Sequence, residues 1–220
     1  MERPRLVAII PAFNESKTIC SVVMQAVKYC DVFVIDDNSD DNTYSEAIAG
    51  GAKVITNIGP NGYENALNFG YSQVCSLEYD YIVTLDADGQ HDPEHLGKII
   101  DHIKKSKPSI IIAERTVLPR VSEIVFSKIT NFLYDIKDPF SGFKCYKAED
   151  YQDHKFGEHK LTGLNFLNLC IVNKKLYLTF PIIVNDRLDE PRFGSTFNAN
   201  ARLLRSIVTF FILIIFRRIK

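Results

Sequence analysis

Short apolar runs alternate with segments of helical periodicity along the first half of the chain, and this alternation constrains its fold most. Five runs suited to buried strands are expected at residues 6–10, 31–35, 53–56, 81–85 and 108–113. Segments of helical spacing follow the first four, at about residues 16–29, 43–49, 63–75 and 93–105. Because strands that alternate with helices usually pair in parallel, the sequence predicts an α/β protein with a mostly parallel sheet and helices on both faces.

Polar segments follow the first, second and fourth predicted strands. They are residues 11–16, 36–41 and 86–88. Ligands of a mostly parallel sheet bind at the carboxyl ends of its strands, where all three segments would fall. We therefore expect the three polar corners to converge on one crevice.

The corner after the fourth strand carries Asp86 and Asp88, one residue apart. Residues i and i+2 of an extended chain point to the same face, so both carboxylates can reach one cation. Gly89 then allows a turn, and Asp92 with Pro93 begins the next helix. An isolated acidic pair is more often a solvated turn, but oxygen ligands in small number suit Mg²⁺ or Mn²⁺. Asp86 and Asp88 are thus the candidate metal ligands.

The corner after the second strand contains Asp36 and Asp37. A carboxylate in this position can accept hydrogen bonds from a ribose or a base, whereas turn and helix capping is an equally common role for such residues. The first strand is followed neither by a Walker A sequence nor by the glycine pattern of dinucleotide-binding proteins. The P-loop and dinucleotide hypotheses therefore gain no support.

The second half of the chain is less regular. Residues 115–131 predict a mixture of loop and helix, and residues 138–146 predict a turn that leads into a strand. Residues 160–175 predict a helix and residues 180–184 a further strand.

The C-terminal segment has an apolar run, residues 207–216, between basic side chains. The basic residues are Arg202, Arg205, Arg217, Arg218 and Lys220. Ten residues of helix measure about 15 Å, half of the hydrocarbon thickness of a bilayer. The segment predicts a helix at a membrane surface, and the alternatives are a core helix or part of a longer spanning segment.

Composition excludes some classes of protein. The net charge of −1 gives no sign of nucleic-acid binding. Five cysteines without a Cys-x-x-Cys motif indicate free thiols in a reducing compartment. The first residues contain no apolar region of signal-peptide length. We therefore expect a cytoplasmic protein.

Four stretches together resemble the GT-A glycosyltransferases of family 2, whose sheet is Rossmann-like. They are residues 7–15, 34–43, 57–67 and 86–94, and the resemblance covers residues 5–115 well. The second half is similar to the polyprenyl-phosphate sugar transferases of that family, which resemble dolichol-phosphate mannose synthase. The matching residues are 138–144, 180–187 and 192–195.

The resemblance implies a set of functional residues. Those implied for the nucleotide sugar are Pro11, Ala12, Phe13, Glu15, Asp36, Asp37, Asp86, Ala87, Gln90 and Arg115. Asp86 and Asp88 would hold Mg²⁺ or Mn²⁺, and Arg187, Arg192 and Ser195 would face the phosphate of the acceptor. The alternative for Arg187 and Arg192 is a surface pairing with the nearby acids.

The resemblance also implies how the chain is divided. Residues 1–200 would form the GT-A domain, with the nucleotide-sugar half at 1–115 and the acceptor half at 116–200. The apolar run with its basic flanks, and not the resemblance, predicts that residues 201–220 form an interfacial helix on the cytoplasmic face of a membrane.

The implied reaction is metal-dependent, inverting transfer of a sugar from a nucleoside diphosphate sugar to a polyprenyl phosphate. Asp88, Arg187 and Asp138 are the candidate catalytic residues. A sugar-hydroxyl acceptor, as in cell-surface glycan synthesis, would need a general base, and Asp138 is the candidate. The glutamate usual in the family's later helix is replaced here by Asn165 and Asn168, which leaves the acceptor open.

Three other classes fit less well. A sugar-phosphate nucleotidylyltransferase would have a glycine-rich basic loop after the first strand, and residues 11–15 are not one. A phosphatase with an aspartyl nucleophile would place its acidic pair on the first strand. The retention of Glu15, Asp86 and Asp88 argues against a scaffold that binds a nucleotide without turnover.

Overall fold

The structure is a computed structural model that describes residues 3–118, 120–152 and 163–185 together with Phe210. The strands are β1 (Leu6–Ala12), β2 (Asp31–Asp36), β3 (Lys53–Thr56), β4 (Tyr81–Thr84), β5 (Ile110–Arg115), β6 (Lys144–Lys147) and β7 (Tyr177–Ile182). The helices are α1 (Ile19–Ala26), α2 (Thr43–Ala49), α3 (Tyr63–Val74), α4 (His95–Ser106), α5 (Val121–Tyr134), α6 (Ala148–Gln152) and α7 (Gly163–Val172).

The seven strands form one sheet in the order β3-β2-β1-β4-β6-β5-β7. All neighbours are parallel except β6, which runs antiparallel to both β4 and β5. The predicted α/β fold with a mostly parallel sheet is therefore confirmed.

The reversed direction of β6 positions the second half of the site. Lys144, the first residue of β6, lies opposite Thr84, the last residue of β4. The segment that leads into β6 therefore passes beside the carboxyl end of β4, directly before Asp86. Thr84 Oγ1 donates a 2.7 Å hydrogen bond to the carbonyl of Gly142 and fixes that passage.

Both faces of the sheet are buried. Along β1, Leu6, Ala8 and Ile10 pack on the face that α1 and α4 cover, while Val7 and Ile9 pack towards α3. This accounts for the continuous apolar runs, because a strand covered on both faces has no solvent-facing side chains.

α3 lies very close to the sheet. A Cβ atom on Gly70 would stand 2.6 Å from Cγ2 of Ile9, so only glycine fits at this contact.

Phe210 joins the C-terminal segment to two helices. Its ring packs edge-on against Phe126 of α5, with the ring centroids 5.4 Å apart, and its carbonyl accepts a 2.7 Å hydrogen bond from Nδ2 of Asn168. Within the described ranges, no helix has the length and apolarity to cross a membrane. The rest of the predicted interfacial helix, residues 201–220, lies outside the described residues.

Candidate active site

Hydrogen bonds tie the first two polar corners together. The backbone N–H of Asn14 donates to Ser39 Oγ at 2.9 Å, and that of Glu15 donates to Thr43 Oγ1 at 2.7 Å. Asn14 adopts a left-handed backbone with φ of 53°, which turns the chain sharply after β1. Since β1 and β2 are parallel neighbours, these bonds close one edge of a crevice at their carboxyl ends.

Asp36 and Asp37 are both buried but differ in their partners. The two carboxylate oxygens of Asp37 accept hydrogen bonds from Asn57 Nδ2 at 2.7 Å and from the N–H of Gly62 at 2.6 Å. Asp37 therefore holds the loop that leads into α3, as the capping alternative proposed. Asp36 accepts from the N–H of Ser39 at 3.3 Å, and its contact with a nucleotide stays a prediction.

Asp86 and Asp88 follow β4 at the same edge. Asp88 is 8% exposed, and its Oδ1 accepts a 3.0 Å hydrogen bond from the N–H of Gln90. Asp86 is more open, with 29% of its side chain exposed. A Cβ atom on Gly142 would lie 2.5 Å from Oδ2 of Asp86, so the backbone of Gly142 packs directly against that carboxylate.

These residues fit a divalent cation that takes most of its ligands from elsewhere. Within the described ranges, no three His, Cys, Asp or Glu side chains form a group that could hold a metal. Mg²⁺ is commonly bound by only one or two carboxylates together with substrate phosphates and water. Asp86, packed against a glycine, and Asp88, oriented by a backbone N–H, are such a pair.

Tyr63 is a further site residue that the sequence reasoning missed. Its hydroxyl donates a 2.9 Å hydrogen bond to Oδ1 of Asp86 from the first residue of α3. Burial of this hydroxyl and the charge of Asp86 raise the pKa of Tyr63 well above its usual value. The available signal was position, since α3 begins at the carboxyl edge of the sheet.

His91 lies behind Asp86. Its Nδ1 stands 3.5 Å from Oδ2 of Asp86, too far for a good hydrogen bond, and its ring packs against Phe143 with centroids 5.6 Å apart. Packing is therefore its visible role.

Arg115 is held in a buried ion network at the end of β5. Its Nε and Nη2 donate to the two oxygens of Asp138 at 2.7 and 3.0 Å, and Nη2 also donates to Glu123 at 3.0 Å. Burial disfavours the charged form, but the bonds and charge of Asp138 outweigh it and raise the pKa of Arg115. The charge of Asp86 also raises the pKa of Arg115, so the guanidinium lies within electrostatic range of that carboxylate.

Asp138 was predicted as a possible general base. It is 1% exposed, and both of its oxygens accept hydrogen bonds from Arg115. This geometry orients Arg115, and a role of Asp138 in proton transfer stays a prediction.

Lys144 adds a second buried cation beneath the site. It is 5% exposed, and its Nζ donates to the carbonyl of Ser141. Burial lowers the pKa of Lys144 to about 8, although Asp138 and Asp86 act in the opposite direction. Lys144 therefore lies within electrostatic range of Arg115, Asp138 and Asp86.

The other predicted residues lie at the same edge or outside the described part. Pro11 and Ala12 end β1, Ala87 is buried, and Phe13 is 39% exposed beside the crevice. The carbonyl of Gln90 accepts a 2.9 Å hydrogen bond from the N–H of Asn185. The predicted acceptor residues Arg187, Arg192 and Ser195 lie outside the described residues.

Solved structures with the same architecture define the class of fold. The glucosyl-3-phosphoglycerate synthase of Mycobacterium tuberculosis superposes with a TM-score of 0.75 over 96% of this chain and 78% of that protein, at 18% identity. That enzyme was crystallised with Mn²⁺, uridine diphosphate and phosphoglyceric acid. The likeness confirms a GT-A fold.

The sequence family follows from a direct match. The profile of glycosyl transferase family 2 matches residues 7–154, so this chain belongs to the family 2 glycosyltransferases. The predicted family and the predicted enzyme class are confirmed.

Relatives within the family include lipid-phosphate enzymes. A UDP-N-acetylglucosamine–dolichyl-phosphate N-acetylglucosaminyltransferase of Methanococcus voltae is 30% identical over 63% of this chain and 67% of that protein. The dolichol-phosphate mannosyltransferase of Pyrococcus furiosus is 30% identical over 64% of this chain and 46% of its own length. An uncharacterised protein of Methanocaldococcus jannaschii is 31% identical over 70% of this chain and 76% of that protein.

Proposed function

We propose that this glycosyltransferase moves a sugar from a nucleoside diphosphate sugar to a polyprenyl phosphate at a membrane surface. The observation that carries the proposal is the placement of Asp86, two residues before Asp88, within electrostatic range of an immobilised Arg115 at the carboxyl edge of the sheet. Acidic and basic groups in this arrangement suit a substrate that carries a diphosphate. The named activities of the Methanococcus and Pyrococcus relatives support a lipid-phosphate acceptor.

The donor would lie across the crevice between β1 and β4. Residues 11–15 and Asp36 would face the nucleoside, and Asp86 and Asp88 would hold Mg²⁺ or Mn²⁺ beside the diphosphate. The metal, when bound, would neutralise negative charge on the leaving diphosphate. Tyr63 and Gly142 fix the position of Asp86, because one donates to Oδ1 and the other packs against Oδ2.

Arg115 would bind a phosphate with the donors that its network leaves available. Nε and Nη2 donate to Asp138 and Glu123. Nη1 makes no hydrogen bond with any described residue and is the donor that remains for a phosphate. A guanidinium already fixed in place loses little further freedom when it binds an anion.

The state of Asp138 favours an acceptor that needs no general base. A lipid phosphate is already an anionic nucleophile, whereas a sugar hydroxyl must lose a proton during transfer. The phosphate oxygen would attack the anomeric carbon as the bond from that carbon to the diphosphate breaks. Attack opposite the leaving group forms the new glycosyl bond, releases the nucleoside diphosphate and inverts the configuration.

Radiolabelled donors give the direct test. The purified chain is incubated with UDP- and GDP-sugars, Mg²⁺ or Mn²⁺, and dolichyl or undecaprenyl phosphate in detergent. We expect label in the organic phase, in a product that mild acid hydrolyses, and no label when the metal is chelated. Label confined to a water-soluble glycan supplied in parallel would replace the lipid phosphate by a hydroxyl acceptor.

We also propose a peripheral location on the cytoplasmic face of the membrane. The apolar run with its basic flanks supports this location, as does the chemistry of a lipid-linked acceptor.

A further inference from the structure

Glu114 is a buried carboxylate that the proposed reaction does not use. It lies in β5 directly before Arg115 and is 6% exposed. Burial raises the pKa of Glu114 and outweighs the hydrogen bonds that favour its charged form. Because a charge that leaves water costs free energy, a neutral side chain of similar size would serve stability equally well. The carboxylate at this position therefore calls for a reason other than stability.

The partners of Glu114 include backbone groups of the turn before β6. Its Oε1 accepts the N–H of Lys137 at 2.6 Å and makes a longer contact of 3.4 Å with the N–H of Asp138. The hydroxyl of Thr179 in β7 also donates to the carboxylate. Pro139 follows in the chain and has no N–H. Glu114 therefore accepts the last two backbone donors before that proline.

Glu114 and Arg115 interlock with Asp138 through both backbone and side chains. The N–H of Asp138 faces the carboxylate of Glu114, and the N–H of Arg115 donates to Oδ2 of Asp138 at 3.1 Å. Asp138 also accepts from Nε and Nη2 of Arg115 at 2.7 and 3.0 Å. An aspartate carboxylate is one carbon away from its backbone, so it moves when the backbone moves. The orientation of the guanidinium thus depends on where the backbone of Asp138 is held.

The other anchors of this turn bind different groups. Thr130 Oγ1 donates to the carbonyl of Ile136 at 2.7 Å, and the N–H of Ser141 donates to the carbonyl of Asp138 at 3.3 Å. Both anchors use carbonyl groups of the turn. Its two N–H groups before the proline depend on Glu114, and buried backbone donors are costly to leave without a partner.

We infer that Glu114 is a positioning residue for the phosphate-binding arginine and acts on it through Asp138. The consequence for binding rests on the proposed contact between Arg115 and a phosphate. A guanidinium that is held in place before an anion arrives loses little freedom on binding it. Loss of the carboxylate would release the turn, and the guanidinium would then depart from its fixed orientation.

Two substitutions of similar size test the role of the Glu114 oxygens. Glu114→Gln keeps an oxygen that can accept both N–H groups, whereas Glu114→Met removes it with little change in volume. Hydrogen exchange of the Arg115 Nε–H, followed by NMR, reports the guanidinium bonds without any substrate. We expect exchange to accelerate about tenfold or more in Glu114→Met and to stay near that of the unchanged chain in Glu114→Gln. Glu114→Ala, which adds no bulk, gives the same test independently.

Asp150 provides the matched control at the other end of the same strand. It is 8% exposed, and its oxygens accept hydrogen bonds from Ser109 Oγ and Lys175 Nζ, both at 2.6 Å. Asp150→Leu therefore also removes a buried carboxylate, next to the first residue of β5 and not the last. Only the Glu114 variants without an oxygen should accelerate exchange at Arg115. Unchanged exchange in them, or an equal rise in Glu114→Gln or Asp150→Leu, would overturn the inference.

Nucleotide affinity separates this inference from the proposed function. Titration calorimetry with UDP and GDP in the presence of Mg²⁺ measures binding of the diphosphate. If both hold, Glu114→Met binds nucleotide roughly 10- to 100-fold more weakly, and Asp150→Leu binds it like the unchanged chain. Faster exchange at Arg115 with unchanged nucleotide affinity would leave the positioning role standing and contradict the proposed phosphate contact.

Discussion

At the scale of single residues, Asp88 has the simplest chemistry to test. Its Oδ1 accepts the N–H of Gln90, a bond that an asparagine oxygen can also accept. Asp88→Asn should therefore keep the turn and the melting temperature while removing the charge that a cation needs. We expect metal-dependent transfer to fall by about 100-fold or more. Mn²⁺ affinity, measured by electron paramagnetic resonance, should fall in parallel, and an unchanged affinity would contradict the metal assignment.

Gly142 offers a second test of the same corner without changing a charge. An added Cβ would stand 2.5 Å from Oδ2 of Asp86, so Gly142→Ala must displace that carboxylate. We expect Mn²⁺ affinity to fall about 10- to 100-fold, as when a supporting contact of a metal ligand is lost. Gly97→Ala is the matched control, because its Cβ would meet Tyr29 at an ordinary 3.6 Å. Equal affinities in the two variants would show that Asp86 is not confined as described.

At the scale of elements, α5 contacts the candidate site through Glu123, which accepts a hydrogen bond from Arg115. This buried carboxylate accepts hydrogen bonds from Arg115 at 3.0 Å and Arg120 at 2.7 Å. Glu123→Gln should lower the free energy of unfolding by about 2 kcal/mol, since charged hydrogen bonds are lost inside the protein. The exposed pair of Glu149 with Lys147 is the control, and Glu149→Gln should change stability by less than about 0.5 kcal/mol. Urea denaturation of both variants would contradict the buried network if the two losses were equal.

Elements that depend on local pattern were predictable, and those that depend on distant pairing were not. β3 was predicted to the residue because its run lies between glycine-containing turns. α4 begins at His95 and not at Pro93, since Oδ1 of Asp92 accepts the N–H of Glu94 in a turn before the helix. The antiparallel direction of β6 has no local signature, because strand direction follows from which neighbours pair.

The same division applies to the site. Asp86 and Asp88 could be singled out from local sequence, because they directly follow an apolar run that forms β4, although in the structure they lie beyond the end of that strand. The bond of Tyr63 to Asp86 and that of Arg115 to Asp138 each join residues 23 apart, so they exist only after the sheet has formed. The sequence around Asp138 does not reveal that Arg115 donates hydrogen bonds to both of its oxygens, so Asp138 was predicted as a candidate general base.

At the scale of the whole molecule, Phe210 packs inside the folded domain, whereas membrane contact by the residues beyond it stays a prediction. Phe210 is 1% exposed in the cluster with Phe126 and Leu164, so it belongs to the folded domain. The residues beyond it carry most of the apolar run and its distal basic cluster. A chain that ends at residue 211 should therefore keep its melting temperature but bind anionic vesicles more weakly.

A chain that ends at residue 206 is the contrasting variant. It also loses Phe210, and removal of a buried aromatic side chain costs about 3 kcal/mol or more, so its melting temperature should fall. Vesicle partition that is unchanged in the chain ending at 211 would contradict a role of residues 212–220 in membrane binding. A fall in melting temperature equal to that of the shorter chain would show that the distal residues also stabilise the fold.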